Sequence, residues 1–163
     1  MTLILQIVKI LLWLTTGDNS SILKHNLNST EEVTAMKYKV LQIQLTDDEI
    51  KAVNEGVQVR KHVLKSWMFG KKVVENAKTA LAAEYYDHVL TIDGTKLEDV
   101  FYIGNFMDDR NLDKVQAHGT FSSVSVGDVI VDENDFAFVV DTFGFEMLPE
   151  KIDGVTLEEL VRH

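Results

Sequence analysis

The chain contains no cysteine, so it can build neither a disulfide nor a thiolate metal site, and its composition suits a reducing compartment. It also lacks an apolar run long enough to cross a bilayer as a helix. The most hydrophobic stretch, LILQIVKILLWL at 3–14, covers twelve residues where roughly 20 are needed. That stretch has neither a basic leader nor an Ala-x-Ala cleavage site, and Lys9 splits it, so it does not read as a signal peptide. Glycine-rich phosphate loops are missing: Gly144 and Gly154 stand alone, and Lys71-Lys72 after Gly70 lacks the remaining elements. The five histidines include no His-x-x-x-His pair that would set two metal ligands on one helix face. Positive charge is scarce, 16 Lys and Arg against 26 Asp and Glu for a net charge of −10, which disfavours a whole-surface nucleic-acid binder.

What is present is enough for one domain: 163 residues, 45% hydrophobic and 26% charged. Residues 17–35 are polar and unpatterned and read as a linker, whereas a patterned segment begins at Met36. The expected division is therefore an apolar extension and linker over 1–35, upstream of a natural start at Met36, and a single acidic domain over 36–163. The compartment expected is the cytoplasm, with peripheral membrane association only if 1–35 is translated.

Tyr38 to Leu45 alternates, with Leu41, Ile43 and Leu45 on one face and Gln42 and Gln44 opposed, and predicts a strand with one buried face. Thr46-Asp47-Asp48-Glu49 is a capping box for a helix to Asn54 that Gly56 closes. Helical stripes follow over 57–69 and Lys71–Tyr85, then a strand at His88–Ile92 and a turn at Asp93-Gly94. Thr95-Lys96-Leu97-Glu98 repeats the capping-box pattern, residues 105–120 read as an exposed loop, and Thr156–Glu159 caps a short final helix. Val129–Val131 and Phe136–Val140 are strand candidates joined by the polar loop Asp132-Glu133-Asn134-Asp135, where Asn and Asp tolerate left-handed angles. Ahead of them Gly127 marks a turn or bulge that a Cβ would resist. The fold class expected is α+β: a small antiparallel sheet or partly open barrel with several short capped helices.

Ser-Val-Ser-Val-Gly-Asp-Val-Ile at 123–130, an acidic turn, and Asp141-Thr142-Phe143-Gly144-Phe145 together resemble the YodL-like family over about 28 residues. Leu97-Glu98-Asp99-Val100-Phe101 is a weaker upstream echo. Members of that family are small proteins of bacteria, phages and conjugative elements, and the resemblance implies such a setting without supplying an activity.

Two charged regions are binding candidates. From Arg60 to Lys78 six bases face one acid, and Arg60, Lys61, Lys65, Trp67, Lys71 and Lys72 mix cations with an aromatic, as suits phosphate contact with stacking or a protein hot spot. Helical spacing equally makes Trp67 and Met68 core candidates. From Asp128 onward ten carboxylates oppose Lys151 and Arg162, and Asp128, Asp132, Glu133, Asp135 and Asp141 form a candidate acidic face. His118 after Asp108, Asp109 and Asp113 has the residue types of a metal site, and Ser122, Ser123, Ser125, His118 and Asp128 those of a nucleophile, base and orienter; neither has a recognised spacing. No catalytic residue, metal or cofactor is assigned. The function expected is a non-catalytic phage or mobile-element accessory protein that binds and modulates a host protein. The alternatives are nucleic-acid binding through 60–78, as a transcription or host-takeover modulator, and a metal-dependent enzyme.

Overall fold

The computed structural model describes residues 34–68 and 72–160. The expectations for the apolar stretch 3–14, for the linker up to residue 33 and for Lys71 lie outside those residues.

The fold is α+β, built on an open six-stranded antiparallel sheet in the order β3-β2-β1-β4-β5-β6 that does not close into a barrel. The strands are β1 (Met36–Ile43), β2 (Tyr86–Gly94), β3 (Val115–Ala117), β4 (Val129–Val131), β5 (Ala137–Asp141) and β6 (Gly144–Met147). Among the described residues the helices are α1 (Asp47–Asn54), α2 (Arg60–Trp67), α3 (Val73–Ala82), α4 (Leu97–Asn105) and the single turn α5 (Leu157–Leu160). A two-stranded ribbon of β7 (Lys151–Ile152) and β8 (Val155–Thr156) leads into α5. None of these helices is long and apolar enough to cross a membrane.

Both faces of the sheet are covered. Leu41, Ile43, Val129, Val131, Ala137 and Val139 point to one side, where Leu64 and Met68 from the α2 end and Val73, Ala77, Ala80 and Leu81 of α3 pack on them. Tyr38, Val40, Leu90, Ile92, Ile130 and Val140 point to the other, against Val100 and Ile103 of α4 and Val124 of the preceding loop. Burial on two faces corrects the expectation of a strand half open to water, because Gln42 is 0% exposed. Between Val40 and Leu41 the pairing with β2 slips by one residue, leaving Val89 as a bulge.

Local sequence chemistry explains most boundaries. The Thr46 hydroxyl accepts from the Glu49 N–H at 3.2 Å and the Glu49 carboxylate accepts from the Thr46 N–H at 2.8 Å, the full capping box. At Thr95 the box is shifted: Asp99, not Glu98, accepts from the Thr95 N–H at 3.0 Å and from its hydroxyl at 2.6 Å. The loop 132–135 makes the expected hairpin, with Asp135 left-handed at φ 60° and Asp132 Oδ1 accepting from the N–H groups of Asn134 and Phe136. The stretch expected as loop at 105–120 contains a 3-10 turn at Leu112–Lys114 and the edge strand β3.

Candidate functional site

Helix α2 divides the basic segment between two sides. Lys61 and Lys65, four residues apart, point toward the end of β1. There the Lys61 ammonium donates to the Gln44 carbonyl at 3.2 Å and faces Glu49 at 3.9 Å, while the Lys65 ammonium donates to the Ile43 carbonyl at 2.8 Å. These two cations satisfy carbonyls at the strand end. Arg60, Val63 and Trp67, spaced i, i+3 and i+7, line a groove of about 440 Å³ together with Leu64 of α2 and Asn76 and Thr79 of α3. Trp67 is 60% exposed there, and its carbonyl accepts from the Asn76 amide at 3.1 Å. Met68, next in sequence, is buried. Lys78 pairs with Glu75 at 3.2 Å, so among the described bases of the segment only the side chains of Arg60 and Lys72 lack a hydrogen bond or ion pair.

The acidic residues do not form one face. Asp132, Glu133 and Asp135 sit in the β4–β5 turn, and Asp141 sits at the far end of β5, where it accepts from the Thr142 N–H at 2.7 Å. Glu133 is tied down by accepting from the Lys37 N–H at 2.8 Å. Asp128 is inside the protein, 6% exposed. Its Oδ2 accepts from Gln42 Nε2 at 2.7 Å and from the Ser125 N–H at 2.9 Å, and Gln42 Oε1 accepts from the Ser122 N–H at 3.0 Å. The Tyr86 hydroxyl donates to the Gly127 carbonyl at 2.5 Å. This knot fastens the 121–128 segment to the sheet. Burial pushes the Asp128 carboxyl up to about 6, against the opposing pull of its two donors and of the Lys65 cation.

Neither candidate catalytic set is assembled. His118 meets His88, not Asp128: the rings lie 4.2 Å apart and share the Thr91 hydroxyl, at 3.1 Å from His88 Nε2 and 2.8 Å from His118 Nε2. Because His88 Nε2 also lies 3.0 Å from the Leu90 carbonyl, which only accepts, that nitrogen carries the proton. The Thr91 hydroxyl then donates to His118 Nε2. Burial, followed by the neighbouring His118, holds the His88 pKa below its ordinary value. Asp108 is paired with Arg110, and among the described residues no three His, Cys, Asp or Glu side chains converge as a metal site.

The chain matches no family model, no curated protein and no solved structure. The resemblance at 123–130 and 141–145 therefore rests on its motifs alone. Structurally the first motif is the loop of the Asp128 knot with the start of β4, and the second is the β5–β6 turn.

A feature not visible in the sequence pattern lies around that turn. Phe143 is 99% exposed, and Phe101 of α4 meets Phe145 of β6 edge to face at 6.4 Å. The two rings are over forty residues apart in the chain, so no local periodicity links them.

Proposed function

We propose that the protein is a non-catalytic accessory protein of a phage or mobile element that binds a host protein through the α2–α3 groove, with Trp67 as its anchor. The observation that carries this reading is the exposure of Trp67, 60%, beside Arg60 over an apolar-floored groove. An exposed indole costs hydrophobic free energy in the unbound protein, and Trp and Arg are the residues that dominate protein interfaces when buried in a partner. The chemistry of the groove fits a partner surface offering an apolar side chain flanked by carboxylates. The resemblance at 123–130 supports the phage or mobile-element setting. Nucleic-acid binding through the same segment is the less supported alternative, because Lys61, Lys65 and Lys78 are already bonded to oxygens of this chain. With Arg60 and Lys72 as the free described bases, few phosphates could be neutralised.

The test is capture from host lysate at low and raised salt with the parent, Trp67→Ala and Arg60→Glu. The parent should retain a protein partner, Trp67→Ala should weaken it by about thirtyfold, as a hot-spot residue does, and Arg60→Glu should weaken it mainly at low salt. Equal recovery by the parent and Trp67→Ala would remove the groove from the account.

A further inference from the structure

Strand β6 is the outermost strand of the sheet beside β5, and among the described residues no strand pairs with its other side. The Leu148 N–H donates to the Ala137 carbonyl at 2.8 Å, and Val139 stands opposite Glu146 two residues on. Antiparallel pairing alternates, so Gly144 and Glu146 bond to β5 while the main-chain groups of Phe145 and Met147 face outward. Edge strands are ordinarily blunted by shortness, charged side chains, proline or a bulge. β6 is four residues long and carries one charge, Glu146, without proline or a bulge, so its blunting is partial and the charge it presents is negative.

Next to this edge a cavity of about 260 Å³ opens between α4 and the β5–β6 turn, lined by Phe101, Val140 and Phe145 together with Glu98 and Asp141. No base lines it. One oxygen of Asp141 accepts from the Thr142 N–H, and the exposed Glu98 side chain makes no hydrogen bond among the described residues. Aromatic walls accommodate the methylene stem of a long cationic side chain and attract its charge through the ring faces, and the carboxylates neutralise its head.

We infer that the β6 edge takes an extended segment of a partner protein as an added strand, with an Arg or Lys of that segment filling the cavity. Main-chain bonds to Phe145 and Met147 would supply affinity and the cavity would supply the choice of side chain. Charge argues for a basic occupant over a second copy of this chain. Two β6 edges paired with each other would bring Glu146 and its acidic surroundings together in a protein that already carries a net charge of −10.

The experiment titrates the full chain into fluorescently labelled Val-Arg-Val-Thr-Val-Arg, its Glu-for-Arg analogue, and the Arg peptide N-methylated at alternate residues, reading anisotropy. The Arg peptide should bind about tenfold more tightly than either control, since each control loses charge-assisted or main-chain hydrogen bonds. The double variant Glu98→Gln/Asp141→Asn should weaken it by about fivefold, as for exposed ion pairs, with an unchanged melting midpoint. Amide exchange at Phe145 and Met147 should slow on adding the Arg peptide. Equal binding of the Arg and Glu peptides, indifference to N-methylation, protection appearing away from β6, or no binding of any peptide would each overturn the inference. A dimer that the Arg peptide dissociates would assign the edge to a second copy instead, and would overturn it too.

Discussion

Replacing Asp128 with Asn should make the protein less sensitive to the rise in pH from the ordinary carboxylate range through about 6, and the size of the effect follows from the knot. Asp128 lies 6% exposed with its carboxyl moved from 3.8 to about 6. A carboxyl whose pKa rises on folding binds protons more readily in the folded than in the unfolded chain. Stability from this group is therefore full at low pH and is lost as pH rises from the unfolded value through about 6. The amide variant keeps an acceptor oxygen for Gln42 Nε2 and the Ser125 N–H but has no charge to bury. Integrating the two titrations from about pH 4.5 to about pH 7.5 makes the stability difference between variant and parent move by about 2 kcal/mol in favour of the variant. Comparing the two proteins cancels the depressed carboxyls of Asp99 and Asp108, which act in the opposite sense. The assay is urea unfolding followed by circular dichroism at a series of pH values, with equal slopes required for both proteins. A difference that stays flat across the range, or that favours the parent as pH rises, would refute the claim that Asp128 is ionised at the expense of the fold.

Gly127→Ala should be among the most destabilising single substitutions. Gly127 has φ 92°, and a Cβ there would lie 2.4 Å from both Cβ and Cγ of Met68, so strain and overpacking together cost about 3 kcal/mol, seen as a lowered melting midpoint. Tyr86→Phe should cost about 1–2 kcal/mol by leaving the buried Gly127 carbonyl without its donor, measurable by the same urea unfolding. For His88 the sign is opposite to that of Asp128. Its folded pKa is lowered, so its contribution is present above the unfolded value near 6.5 and is lost as pH falls below it; NMR titration should place the His88 midpoint below 6.5.

Local chemistry was legible where it decides structure locally. The Thr46 capping box, the left-handed Asp135 and the turn glycine at 127 each express a requirement within a few residues, and each is found in place. Long-range partners were not legible. Gln42 alternates with apolar residues as if it faced water, yet Ser122 and Asp128 arrive from 80 and 86 positions away to satisfy its amide. Strand β3 is three largely exposed residues whose strand character comes from pairing with β2. Trp67 and Met68 are neighbours about 100° apart at the end of α2, and of the two it is Met68 that turns inward. The missing side chain of Gly127 is what admits Met68 to the core, and no pattern within α2 carries that information. The candidate acidic face was read from sequence proximity, which does not survive folding here: one of its members enters the core and the others are set at opposite ends of β5.

The most direct test of the proposed function places a photocrosslinking amino acid at the groove-lining position of Thr79 in the full chain, with Trp67 kept, and irradiates it in host lysate. A discrete adduct is expected that protease removes and nuclease leaves intact, outcompeted by excess parent protein and absent when the crosslinker is placed at exposed Ser66 instead. An adduct destroyed by nuclease, or no adduct from the Thr79 position at any salt concentration, would contradict it.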